Sequence, residues 1–182
     1  GRPVVAISPD GSQFVYNATG GLYLRPMDEQ EARLISGTEE ALTNPFFSPD
    51  GQWIGYFSFA DQQLKKVPIS GGAPVPLGDA TNPYGVSWGE DNMIVWGEPG
   101  GAMRVSGNGG TPETLVVNEE RVVHGPQVLP GGKSVLFTHN ITAGAARWDE
   151  AQIVVHSLET GEQKVLLTGG SDARYVPTGH LV

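Results

Sequence analysis

Apolar positions in this chain come in short runs that alternate with polar ones and break at turn residues. The segment Gln63-Leu64-Lys65-Lys66-Val67-Pro68-Ile69 shows the period of two that a strand with one solvated face requires. Around it, residues 45–47, 53–57 and 73–77 are further strands, separated by Ser48-Pro49-Asp50-Gly51 and by Gly71-Gly72. Proline sets φ for the second turn position, Asp bonds back to its own backbone, and Gly accepts positive φ. The prolines within 73–77 cannot donate to a ladder, which predicts an edge strand there. No convincing helix is predicted; residues 28–32 come nearest and are too few to stand alone.

The same plan recurs. Ser-Pro-Asp-Gly stands at 8–11 and again at 48–51, each copy followed by an apolar run ending in Tyr16 or Tyr56. Worn copies follow at Trp88-Gly89-Glu90-Asp91, leading to Trp96, and at Leu129-Pro130-Gly131-Gly132, leading to Phe137. A fifth start lies at Pro177-Thr178-Gly179. The predicted strands are 4–7, 13–16, 22–26 and 32–35 in the first unit. They are 84–88, 93–96, 102–105 and 112–116 in the third, and 126–129, 134–138, 151–158 and 163–167 in the fourth. Two more, 174–176 and 180–182, begin a fifth. A period near 40 residues with four short strands per unit is the signature of β-propeller blades. The expected fold is therefore all-β: a β-propeller fragment of four complete four-stranded blades plus a partial fifth. It is expected to form one array over 1–182, with blades at about 4–36, 44–78, 84–117, 125–168 and 173–182. Tyr16, Tyr56, Trp96 and Phe137, at matching repeat positions, are expected to form a core stripe between blades.

Composition narrows the function. With 26 Gly and 14 Pro among 182 residues the chain is turn-rich, and 38% hydrophobic content suits a folded domain. Its net charge of −9 repels phosphate backbones, so no nucleic-acid partner is expected. No basic run exceeds Lys65-Lys66, and no apolar stretch or leader suggests membrane insertion. The absence of cysteine excludes disulfides and thiolate metal sites. The chain starts at one strand and stops within another, and so reads as a segment of something longer. A truncated array leaves two blade faces open. If each uncovers about 400 Å² of apolar surface, the cost is on the order of 10 kcal/mol per face. Three reliefs are open: closure into a tight ring with the half-blade wedged against the first, missing strands supplied by a partner, or pairing of two chains. Of these, self-association into a homo-oligomer through open blade edges is favoured.

The Ser-Pro-Asp-Gly turns resemble the WD-like β-propeller repeats of the TolB type. The phrases at 64–77 (LKKVPISGGAPVPL), 87–89 (SWG), 129–138 (LPGGKSVLFT) and 174–182 (RYVPTGHLV) are similar to the propeller that follows the kinase domain in many bacterial serine/threonine protein kinases. That resemblance implies a sensor or scaffold domain, on the extracytoplasmic side, and propellers that continue beyond His180-Leu181-Val182.

Candidate chemistry is sparse. Asp10 and Asp50 fit hairpin turns better than a metal site, and the third and fourth units put Glu90 and Gly131 at the expected acid position. His124, His139, His156 and His180 show no i, i+4 pairing, and there is no Gly-x-Ser-x-Gly elbow. Gly-rich 97–101 and 107–110 lack the Lys-Ser/Thr and helix that phosphate cradling needs. The sequon Asn140-Ile141-Thr142 is a short match with no further support. No catalytic residue, metal or cofactor is expected, and the chain is read as a non-enzymatic binding or sensing module. The alternative is a propeller enzyme or hydrolase accessory domain with an axial-channel site. Binding candidates are Asn44, Asn82, His124, Gln127 and Arg174, polar residues where first strands begin. Trp148 joins them from the long insertion 140–150, flanked by Arg147 and Asp149. The expected partner is a protein or a small-molecule ligand.

Overall fold

Alternation along the chain becomes antiparallel strands in a computed structural model that describes residues 4–118, 122–140, 148–176 and 178–182. The first sheet is β1 (Val5–Ile7), β2 (Gln13–Ala18), β3 (Gly21–Pro26) and β4 (Arg33–Leu34); the second is β5 (Leu42–Phe47), β6 (Trp53–Ser58), β7 (Gln63–Pro68) and β8 (Val75–Asp79). The third holds β9 (Val86–Trp88), β10 (Met93–Glu98), β11 (Gly101–Ser106) and β12 (Glu113–Val117). The fourth holds β13 (Val122–Val128), β14 (Ser134–Asn140), β15 (Gln152–Ser157) and β16 (Gln163–Thr168), and β17 (Tyr175–Val176) pairs with β18 (His180–Leu181). In every sheet, neighbours in sequence are neighbours in space. The chain is thus all-β, with four four-stranded meanders and a two-stranded pair, and proline-bearing β8 lies at a sheet edge as expected. The one helical element among the described residues is a 3-10 turn, Trp148–Glu150. Residues 28–32 are not helical.

The chain divides into two compact units, Gly1–Pro83 with Val105–Pro112, and Tyr84–Arg104 with Glu113–Val182. In the first unit, the core lies between the first and second sheets: Val15, Leu22, Leu24 and Ile35 pack with Leu42, Phe47, Ile54, Tyr56 and Val67. Side chains alternate across a strand, so Val15 and Tyr16 face opposite ways. Tyr56 is fully buried, whereas Tyr16 is only partly so. The expectation that the repeat aromatics form one core stripe therefore holds for Tyr56, Trp96 and Phe137, all buried, and fails for Tyr16. Tyr16 lies instead on the outer face of the first sheet, in a row with Val5, Tyr23 and Leu34 set by the strand register. Val5 and Ile7 on that face are each 60% exposed. In the second unit Ala102, Val116, Val123, Val135, Phe137 and Val154 form a core.

The turns are built from the residues that mark them. The Ser48 hydroxyl donates to Asp50 Oδ1 (2.5 Å), which also accepts the Gln52 N–H (3.0 Å), and the Gly51 N–H closes on the Ser48 carbonyl (2.9 Å). Ser8, Asp10 and Ser12 repeat this pattern, and the bonds from Ser8 and Ser12 hold the Asp10 carboxyl at about 2. The third turn differs from its expected alignment by one residue. Asp91 Oδ1, not Glu90, accepts the Met93 N–H (3.1 Å), while Asn92 at φ 61° takes the place of Gly51 at φ 68°. The acid position is therefore kept in three of the four turns, and only the fourth replaces it, with Gly131.

Candidate functional site

The residues chosen from the sequence divide between the two units. Asn44 and Asn82 lie in the first. Asn44 has φ 52° at a bulge between Thr43 and Phe46, where the inner strand β5 slips one register against β6. Its Nδ2 donates to the Pro83 carbonyl (2.7 Å), so this side chain links the start of one strand to the loop beyond β8. Asn82 is exposed in that loop at φ 50°.

His124, Gln127, Trp148 and Arg174 all lie in the second unit, and the structure brings them together. β13 starts at Val122, ahead of its expected start at 126, and carries a bulge between His124 and Gln127 like the one in β5. Gly125 sits in the bulge at φ 53°, and a Cβ there would lie 3.0 Å from both Arg174 Nη2 and Asp172 Oδ1. Only glycine accepts both that dihedral and that crowding without strain. Its N–H donates to the Tyr84 carbonyl (2.7 Å), and Arg174 Nη1 donates to the Gly125 carbonyl (2.8 Å). Gln127 is held by the backbone of Tyr175: its Oε1 accepts the Tyr175 N–H (2.9 Å) and its Nε2 donates to the Tyr175 carbonyl (3.2 Å).

The bulge projects His124 between two rings. Its imidazole stacks on Tyr84, with centroids 4.9 Å apart, and meets the Trp148 indole edge-on at 4.8 Å. Such offset and edge contacts suit the aromatic quadrupole and hold the three rings as a unit. Trp148 remains 37% exposed, so the cluster presents an aromatic surface. Burial pushes the His124 pKa down, partly opposed by the Asp172 carboxylate, which favours the neutral ring. Burial likewise lowers the Arg174 guanidinium, again opposed by Asp172. Arg147, the other expected neighbour of Trp148, lies outside the described residues, as does most of the insertion and the sequon's Ile141 and Thr142.

Sequence reasoning missed Tyr84 and Asp172. Tyr84 follows Asn82-Pro83, the same polar-proline step as Asn44-Pro45, which marks where a first strand opens. Asp172 carries no such signal. Among the described residues no three His, Cys, Asp or Glu side chains converge to hold a metal ion.

No family model and no curated protein sequence matches the chain. Its fold is similar to solved structures. TolB from Acinetobacter baumannii superposes with a TM-score of 0.75 at 14% identity, over 98% of this chain and 47% of that one. Hydrazine synthase of Kuenenia stuttgartiensis gives 0.73 at 14% identity, over 96% of this chain and 52% of that one. A protein assigned as TolB from Agrobacterium tumefaciens gives 0.52 at 16% identity, over 92% of this chain and 82% of that one. The chain therefore spans about half the length of the first two. At these identities the likeness speaks for architecture alone, and the architecture is the TolB-like β-propeller fold.

Proposed function

We propose that this chain is a non-catalytic binding or sensing module within a larger bacterial signalling protein, of the kind that carries a propeller beside a serine/threonine kinase domain. The observation that carries the reading is the Tyr84–His124–Trp148 cluster: His124, on β13 beside the Gly125 bulge, stacks on Tyr84 and meets Trp148 edge-on, and Trp148 stays 37% exposed. Rigid aromatic surface on loops over a β scaffold suits partner contact, because little conformational entropy is lost on binding. The first strands β1, β5, β9, β13 and β17 contain no Asp or Glu, which favours binding over acid–base chemistry.

Panning a random peptide library against the intact chain tests this. Enriched peptides should lose about tenfold or more in affinity on Trp148→Ala and His124→Ala, with melting temperature unchanged. Peptides that bind both variants as well as the parent would contradict the assignment of the site. Stoichiometric calcium or zinc in the purified protein, measured by mass spectrometry, would instead favour an enzyme.

A further inference from the structure

A cavity lies in the first unit, none of its lining residues among the binding candidates of the preceding subsections. The cavity, of about 820 Å³, is lined by residues 16–20 of the β2–β3 hairpin, by 39–41 ahead of β5 with Leu42 at its start, and by Phe59 at the β6–β7 turn. That volume lies within the range of small-ligand pockets. Its walls are tied to one another. The Leu22 N–H donates to Thr38 Oγ1 (2.9 Å), whose hydroxyl donates to the Ile35 carbonyl (2.7 Å), and the Phe59 N–H donates to the Ala41 carbonyl (3.0 Å). Tyr16 is stacked on Tyr23 at 5.8 Å, and Phe59 meets Phe57 edge-on at 5.2 Å while staying 45% exposed. Phe59 therefore offers an exposed ring at the cavity, and Tyr16 contributes to its wall.

Its two carboxylates have different tasks. Glu40 is already satisfied, by Tyr56 (3.0 Å), Ser58 (2.5 Å) and Lys65 (3.0 Å). Glu39 Oε2 accepts the Gly37 N–H (2.7 Å), which fixes the carboxylate. Among the described residues its Oε1 has no hydrogen-bond partner, and the side chain is exposed at the cavity. A hydrogen-bonded carboxylate beside an exposed aromatic ring is the chemistry that selects a cation on an apolar stem. We propose that this cavity binds a basic side chain, arginine or lysine. The chain's net charge of −9 adds attraction for a basic partner.

The test is a ¹⁵N NMR titration of the whole chain with N-acetyl-arginine methylamide, with agmatine, and with uncharged N-acetyl-norleucine methylamide. The two cations should shift amides at 17–20, 39–42 and 59, and norleucine should not. Stronger binding of the peptide-like arginine identifies a polypeptide source; equal or stronger binding of agmatine identifies a small cation. Glu39→Gln keeps an acceptor for Gly37 and should weaken binding about fivefold or more, as should Phe59→Ala. Shifts that norleucine reproduces, or that survive both substitutions unchanged, overturn the proposal.

Discussion

Tyr16 and Tyr56 occupy the same place in successive repeats, at the same offset from identical Ser-Pro-Asp-Gly turns, yet they do opposite things. Tyr56 is completely buried in the core between the first two sheets and donates its hydroxyl to Glu40. Tyr16 lies on the outer face of the first sheet, beside Val5 and Tyr23, partly open to solvent. The repeat specifies strand and side-chain direction; a neighbouring sheet decides whether the ring is core. Tyr16 is also among the residues that line the cavity of the first unit.

Substitutions at these paired positions turn that contrast into numbers. Tyr56→Ala removes a fully buried ring and should cost roughly 3–5 kcal/mol in urea unfolding. Tyr56→Phe keeps the ring but removes one hydrogen bond to the Glu40 carboxylate, and should cost about 1–2 kcal/mol. Tyr16→Ala should cost less than about 1 kcal/mol, since the ring is only partly buried. Comparable losses at both tyrosines would break the comparison.

The smallest effect is acidic. Serine hydroxyls and backbone N–H groups hold the carboxyls of Asp10 and Asp50 below their ordinary value, Asp10 at about 2. Burial alone would raise Glu40, but bonds from Ser58, Lys65 and Tyr56 outweigh it and keep that carboxyl low as well. A depressed carboxyl stabilises the fold above its unfolded value, near 4, and the benefit fades as pH falls through the folded value. Melting temperature should therefore drop between about pH 4 and 2, and Asp10→Asn with Asp50→Asn should flatten that limb. An unchanged acid limb would remove these turns from the account.

Much of this was legible in advance, and the failures have physical causes. Alternation and turn residues located strands in all four repeats, because period-two patterning and Pro-Asp-Gly chemistry are local. Tyr16 was misplaced because burial depends on a second sheet, which no local pattern reports. The third turn was misaligned by one residue because Asn92, like glycine, adopts positive φ, so the missing glycine concealed the acid at Asp91. The start of β13 was set too late because Gly125-Pro126 marks a bulge inside the strand, not its beginning. His124 and Trp148 were chosen from the sequence, but their contact depends on that bulge. The cavity was invisible, since its walls come from two hairpins and the link between two sheets, which are separate in sequence.

Tetranitromethane modification of the dilute protein, read residue by residue by peptide mass spectrometry, addresses the difference between the two repeat tyrosines most directly. Nitration should appear early at Tyr16 and be withheld from Tyr56 until the protein unfolds. Equal labelling of the pair, or protection of both in the monomer, would contradict the claim that coverage by a neighbouring sheet separates them.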